Sequence, residues 1–228
     1  MKAAGDLGNL PDVPPIDSAY PPVIESIARR ISAAEDALDE VRCNPDHPQN
    51  WISCELATLQ IRMICELLLL GSTLAHLKEG GKELDDRKWR PKEAFGQLDR
   101  INAHPLQVPV EVLRTDQGGP QISPISKPLP FEAISKVYGI CGDLLHVPTA
   151  RQVLKASLPV YDVEQLQKWL AGLKRVIVSH ALMLPERKKV LLSIWSGLPD
   201  ETPKCFLLNA MGESTLDLNQ YPDFDLLP

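Results

Sequence analysis

Residues Asn50–Lys78 read NWISCELATLQIRMICELLLLGSTLAHLK, and this stretch decides the fold class. Its apolar residues occupy most of the circumference of a helix, which predicts a long central helix in a bundle. The pair Gly80-Gly81 predicts where it ends. Because Arg62, Glu66 and His76 interrupt it, its unbroken apolar runs are far below the ~18 residues that span a bilayer. We therefore expect a buried helix and no membrane association.

A narrow polar seam follows one face of this helix. Its members are spaced three, four or seven residues apart: Glu55, Thr58, Arg62, Glu66, Thr73 and His76. Arg62 and Glu66 lie four residues apart, the spacing of an ion pair within a helix. One interpretation is a largely buried pair that fixes how the helices align. The other is that the seam faces a pocket, where Arg62 holds an anionic group.

Helical spacing also appears on both sides of the central helix. Further helices are predicted from Pro21 to Val41, from Pro91 to about Ile101, from Phe131 to about His146, and from Asp162 to about Leu182. The last one begins with Asp162 and Gln165 as a capping box. The chain is therefore predicted to be mainly α, with an up-and-down bundle of four or five helices over residues 20–182. Residues 1–19 are rich in Gly, Pro and Asp and are predicted as an extended or disordered arm.

The β signals are weaker and lie in two places. A proline-rich insert at about 104–130 contains Val108, Val110 and Val112, which alternate as in a short strand. Residues 183–228 are predicted as a small antiparallel β appendage and tail. Within it, 186–196 fits either a helix or a strand, with the strand favoured. Lys204–Ala210 and Thr215–Leu218 are further candidate strands, separated by a turn at Met211-Gly212.

Charge and cysteine content limit the partners. The chain has 24 basic and 30 acidic residues among 228, a net charge of −6, so no global positive field attracts DNA, and an RNA contact requires a local patch. The five cysteines contain no CxxC pair, as is typical of reduced thiols in the cytoplasm. Residues 1–20 lack the apolar run of a secretory signal, so we expect a cytoplasmic protein.

Standard catalytic and cofactor motifs are missing from the sequence, and no cofactor is expected. Cys43 and His47 supply half of a zinc site with no further ligand at a suitable spacing, so no metal is expected. His76 and His180 are predicted as hydrogen-bonded core histidines. His146 differs, because it ends a predicted helix, and the negative end of a helix stabilises a protonated imidazole.

Two segments carry a recognisable pattern. Leu59–Glu66 reads LQIRMICE, with a central Arg-x3-Glu, and Tyr138–His146 reads YGICGDLLH, with an aromatic, a small residue and a terminal histidine. The first is similar to the first core helix of the HEPN-like helical superfamily and the second to one of its later helices, especially in bacterial members of unknown function. The resemblance implies an up-and-down bundle that is often dimeric. Its members include metal-independent ribonucleases, toxins and defence factors, and also non-catalytic binding modules.

The match departs from the catalytic members at one point. They carry an arginine shortly before the histidine, whereas Gly139–Leu145 contains none. We therefore expect a non-catalytic module that forms a homodimer and binds a protein, nucleotide or RNA partner. The alternatives are a metal-independent ribonuclease with a rearranged site built from His146 and Arg62, or an unrelated helical interaction protein. The candidate binding residues are Arg62, Glu66, Tyr138, Asp143, His146 and Arg151.

Overall fold

The computed structural model describes residues 15–78, 91–102, 106–114, 120–146, 160–184, 189–198, 201–209, 221–222 and 224. Helices and strands alternate in blocks along the described chain. The helices are α1 (Ile16–Ala19), α2 (Pro21–Cys43), α3 (Asn50–Lys78), α4 (Pro91–Ile101), α5 (Phe131–Leu145) and α6 (Val163–Val178). The strands are β1 (Val108–Arg114), β2 (Pro120–Pro124), β3 (Ser179–Met183), β4 (Lys189–Ile194) and β5 (Lys204–Asn209).

The helical core is formed by α2 and α3, which pack along each other. The predicted apolar seam of α2 is buried, and α3 has buried residues along its length, as expected for a central helix. Helices α5 and α6 cover α3 and α2 respectively. The prediction of a mainly α chain is consistent with this arrangement. Residues 16–19, predicted as part of an extended arm, form the short helix α1, and Ile16 is buried in the core.

The sheet is larger than predicted. It has five antiparallel strands in the order β2-β1-β3-β4-β5, so it is not a small C-terminal element. The proline-rich insert supplies β1 and β2, which pair over Val110–Arg114 and Pro120–Pro124. Strand β1 then pairs with β3 through Val108 opposite Ala181. The short strand predicted from Val108, Val110 and Val112 is confirmed as β1, whereas β2 was not predicted.

The last long helix ends earlier than predicted. Helix α6 stops at Val178, and Ser179 is extended, with φ −154° and ψ 119°. The next residues form β3 between β1 and β4, so His180 lies on a strand and not on a helix. The apolar residues of β3 happen to continue the helical spacing of α6, so the sequence alone does not show where the helix ends and the strand begins. The backbone hydrogen bonds to two neighbouring strands determine the outcome.

The strand predicted within 186–196 is confirmed as β4, and the strand beginning at Lys204 is confirmed as β5. The predicted turn at Met211-Gly212 and strand at Thr215–Leu218 lie outside the described residues. Every described helix is too short or too polar to cross a bilayer.

A buried chain of hydrogen bonds joins the helices to the sheet. The Tyr20 hydroxyl lies 2.9 Å from Nε2 of His180, and Gln107 Nε2 donates to the same hydroxyl at 3.3 Å. Gln107 Nε2 also approaches the Leu68 carbonyl and the Ser72 hydroxyl of α3, at 3.0 and 3.2 Å. These side chains are fully buried. His180 is therefore a hydrogen-bonded core histidine, as predicted.

His76 is the second core histidine. Its Nδ1 donates to the Ser72 carbonyl at 2.7 Å, and its Nε2 accepts from Asn102 at 2.9 Å. Asn102 also donates to the Met183 carbonyl. Its two hydrogen bonds therefore link His76, near the end of α3, to the end of β3. Burial lowers the pKa of His76, which therefore stays neutral in the folded protein.

Candidate functional site

Arg62 and Glu66 lie on the face of α3 that packs against α5. Nε of Arg62 is 3.6 Å from Oε1 of Glu66, so the predicted pairing is present. The side chains are 27% and 26% exposed, so both are partly buried. Other members of the seam lie deeper, because Thr58, Thr73 and His76 are buried.

Tyr138 of α5 holds the Arg62 guanidinium from the opposite side. Nη2 of Arg62 donates to the Tyr138 hydroxyl at 3.0 Å, and the guanidinium carbon lies 4.7 Å from the centroid of the ring. The positive charge therefore receives both a hydrogen bond and a cation–π contact. The hydrogen bond that Arg62 donates to Tyr138 raises the pKa of Arg62, with a smaller contribution from Glu66. The guanidinium is a permanent, oriented cation.

Gly142 leaves space beside this cation. A Cβ added at Gly142 would lie 3.7 Å from Nη1 of Arg62, which is ordinary van der Waals contact. The Arg62 guanidinium therefore packs beside Gly142, and a methyl group would fit there without a clash.

A groove lies one turn away, between α3, α4 and α5. Its volume is about 260 Å³. Leu69, Phe131 and Ile134 form apolar walls, while Glu66 and Tyr138 contribute polar groups. Glu66 and Tyr138, which both contact the Arg62 guanidinium, therefore also line the groove. A partner bound to Arg62 can extend an apolar portion into this space.

The remaining predicted site residues are not joined to this cluster. His146 caps α5, where its backbone N–H donates to the Gly142 carbonyl at 3.1 Å, and its side chain is exposed. Asp143 is also exposed. Within the described part of the chain, no hydrogen bond or ion pair connects either side chain to Arg62. Arg151 lies outside the described residues. The structure thus groups Arg62, Glu66 and Tyr138.

The nearby thiols are protonated. Burial raises the pKa of Cys141 to about 12, although the Arg62 charge acts in the opposite direction. Burial also raises the pKa of Cys65, and the neighbouring Cys141 adds to the effect. A nucleophilic cysteine requires a lowered pKa and access to solvent. These two thiols therefore act as small apolar core groups.

Tyr161 contacts the polar seam of α3, although the sequence gave no sign of this. Its hydroxyl donates to the Leu144 carbonyl at 3.3 Å, and it also contacts Glu55 at the start of the α3 seam. Burial, followed by the charge of Glu55, raises the pKa of Tyr161 to about 12. Tyr161 lies just before α6, in a stretch without periodicity. Only the packing of this stretch on α3 and α5 shows its role.

Potential metal ligands are dispersed. Within the described ranges, no three His, Cys, Asp or Glu side chains come together as a metal-binding cluster. Cys43 and His47, the half-site noted in the sequence, are both exposed at the end of α2 and in the following turn.

Comparisons with protein-family profiles, curated proteins and solved structures give no match. The resemblance to HEPN-like domains thus rests on Leu59–Glu66 and Tyr138–His146 alone, and it stays a prediction. The five-stranded sheet is an addition to the bundle that this resemblance implies.

Proposed function

We propose that the protein is a non-catalytic, HEPN-like binding module that holds an anionic group of a partner at Arg62. The partner is a protein, a nucleotide or RNA. One observation carries the proposal: the guanidinium is fixed by Tyr138 and Glu66, yet it keeps a donor group that no described residue binds. Nη2 bonds Tyr138 and Nε faces Glu66, while Nη1 has no partner among the described residues. A preoriented guanidinium edge suits a carboxylate or phosphate.

Binding is favoured over cleavage by the separation of the ionisable groups. A metal-independent ribonuclease needs a proton-transferring side chain and a fixed cation at the same phosphate. Here Arg62 has the tyrosine and the carboxylate as neighbours, and no described contact links it to His146. The non-catalytic form of the proposal follows from this arrangement.

The local charge favours a compact anion over a long polyanion. Glu66 partly offsets Arg62, and the whole chain carries a net charge of −6. Long RNA depends on several cations along its backbone. A nucleotide, or an acidic side chain of a protein partner, needs only one. Among the partners considered, these two fit the site better than RNA.

Dimerisation, the second part of the proposal, is supported by β5. This strand is at one edge of the sheet, and no described strand pairs with its far side. Phe206 and Leu207 on it are 44% and 37% exposed. Edge groups that have no partner strand in the described part of the chain, combined with exposed apolar side chains, favour pairing with another strand. Antiparallel pairing of β5 with its copy would give a two-fold dimer.

Calorimetric titration tests the binding proposal. Nucleoside mono-, di- and triphosphates and a short single-stranded RNA are titrated into wild type, Arg62→Met and Arg29→Met. Arg29 is a matched control, because it faces Glu25 at 3.6 Å with the same spacing but is 80% exposed. We expect nucleotide binding that Arg62→Met abolishes and Arg29→Met preserves. Equal affinity in wild type and Arg62→Met would contradict the proposal. If no probe binds, nucleotides and RNA are excluded as the partner.

A further inference from the structure

One face of α3 exposes large apolar side chains. Ile52 is 46% exposed, Leu56 44%, Leu59 42% and Leu70 40%, and Met63 between them is partly exposed. We call these five residues the α3 stripe. None of them lies on β5 or lines the groove between α3, α4 and α5. Monomeric proteins rarely expose a contiguous apolar surface, so a surface of this kind indicates an interaction site.

The spacing of the α3 stripe is that of a heptad repeat. Its residues follow one another at steps of four, three, four and seven, and Glu66 occupies the repeat position inside the last step. The buried residues lie on the opposite face, at steps of three and four: Cys54, Ala57, Ile61, Ile64 and Leu68. Helix α3 therefore has one apolar face that packs in the core. Its other face has the pattern of a helix that pairs with a second helix.

The helix that fits this face is α3 of a second copy, but two arrangements of the pair are unfavourable. In a parallel pair each residue of the repeat faces its own copy, so Glu66 would meet Glu66 and the two carboxylates would repel each other. An antiparallel pair centred on the whole stripe places Leu56 against Glu66 and Arg62 beside Arg62. Both arrangements bring like charges together.

An antiparallel pair shifted by one heptad towards the start of α3 avoids these contacts. It places Leu56 against Leu59 and Ile52 against Met63, so apolar side chains fill its four layers. Leu70 lies beyond these layers, opposite the turn that precedes α3 in the second copy. The register therefore buries the most exposed part of the stripe without burying a charge.

The charged flanks of the stripe select the same register. It brings Glu55 of each copy beside Arg62 of the other, as flanking charges do when they set the orientation of paired helices. The structure describes no Lys or Arg paired with Glu55, whose contact is with Tyr161. Nη1 of Arg62 likewise has no hydrogen-bond partner among the described residues. A two-fold axis joins this carboxylate and this donor group twice.

We propose that α3 docks antiparallel on α3 of a second copy, about a two-fold axis that passes between Leu56 and Leu59. Arg62 then binds Glu55 across the interface. This interface rests on the anion binding proposed for Arg62, and it makes a second copy of the chain the partner that supplies the anion. The contact surface is separate from the β5 edge, so the two surfaces can be tested independently.

Sedimentation velocity distinguishes this interface from the one at β5. Phe206→Glu puts a charge on the β5 edge and leaves α3 intact, so a dimer that persists in this variant uses another surface. We expect that dimer. Leu207→Glu, at a residue 37% exposed on the same strand, replaces Phe206→Glu if circular dichroism shows that it does not fold.

The stripe itself is tested in the Phe206→Glu background. Leu59→Glu buries a carboxylate between apolar layers, so it should give monomers. Leu113→Glu is the matched control, because Leu113 is 44% exposed but lies on β1, and this variant should stay dimeric. Monomers in Phe206→Glu alone, or dimers after Leu59→Glu is added, would overturn the proposal.

A charge exchange in the same background tests the pairing of Glu55 with Arg62. Glu55→Lys and Arg62→Glu each bring like charges together in their own dimers, so each should associate about tenfold more weakly. In a one-to-one mixture the mixed dimer again has two pairs of opposite charge, so association should recover. Glu111→Lys, at an exposed glutamate of β1, makes the same change in net charge and should have no effect. Unchanged association in Glu55→Lys, or no recovery in the mixture, would overturn the pairing.

Nucleotide titration separates failure of this interface from failure of the proposed function. Leu59→Glu leaves Arg62 in place, so it should lose dimers and keep nucleotide binding. If Arg62→Met loses nucleotide binding but dimerises through α3 with unchanged affinity, the proposed function stands and the pairing of Arg62 with Glu55 is overturned.

Discussion

The hydroxyl of Tyr20 lies 2.9 Å from Nε2 of His180 across 160 residues of sequence. Gln107 Nε2 lies 3.3 Å from the same hydroxyl, so the three side chains form one buried polar cluster. Nδ1 of His180 is buried without a hydrogen-bond partner among the described residues. His180 is neutral in the folded state.

The neutral state of His180 predicts a loss of stability in acid. Burial lowers the pKa of His180 to about 4, whereas an unfolded histidine titrates near 6.5. Between these values the unfolded chain binds more protons, so the free energy of unfolding decreases as the pH falls through this window. At about 1.4 kcal/mol per unit, the loss is about 3 kcal/mol near pH 4.

Urea unfolding at a series of pH values between 7 and 4 measures this loss. In His180→Gln, the slope below pH 6.5 should become shallower. Part of it should remain, because burial also lowers the pKa of His76. Parallel pH profiles for wild type and His180→Gln would show that His180 is not the responsible group.

Tyr20→Phe should destabilise the protein by about 1–3 kcal/mol, because it leaves Nε2 of His180 without its hydrogen-bond partner in a fully buried site. The same substitution at Tyr161 provides a comparison, since Tyr161 is only partly buried. Its cost should be smaller. Chemical denaturation of both variants gives the two values, and an equal cost would argue against the buried network.

Arg62→Met should cost about 1 kcal/mol of stability, because the guanidinium is partly exposed and its interactions with Glu66 and Tyr138 are partly screened by solvent. A fully buried pair would cost about 3–5 kcal/mol when broken. Arg29→Met, with its ion pair at the surface, should cost less than Arg62→Met. Thermal melts of both variants distinguish these cases, and a loss above 3 kcal/mol for Arg62→Met would contradict this expectation.

Metal-free protein should not cut RNA in a manner that depends on His146. The histidine is exposed at the end of α5, and its helix supplies Asp143 but no arginine. Such a carboxylate repels a phosphate. Structured and unstructured RNAs are incubated with wild type and with His146→Ala. Cleavage by wild type that is lost in the variant would support the rearranged ribonuclease instead.

The sequence was sufficient for the elements whose structure depends on local pattern. Three features could be predicted: the apolar face of α2, the length of α3, and the pairing of Arg62 with Glu66. Each depends on residues within a single segment, either through apolar periodicity or through a spacing of four residues. Strand β3 could not be predicted, since its pairing with β1 spans about seventy residues. A strand at the end of a helix looks like its continuation until the partner is known.

The candidate sites follow the same division. Arg62 was found from its position on an apolar helix, but the role of Tyr138 as its hydrogen-bond partner depends on how α3 packs on α5. Helical packing also decides whether Arg62 is buried.

The order of strands in the sheet has a consequence for folding kinetics. Strands β1 and β2 precede α5 and α6, whereas β3, β4 and β5 follow them, so the β1–β3 pairing closes a long loop that includes both of these helices. Such long-range closure slows folding, because its entropic cost is met before the contacts form. During synthesis, the β1–β2 hairpin emerges with one edge of β1 unpaired until β3 follows. That interval is when the nascent chain is most exposed to pairing with other strands.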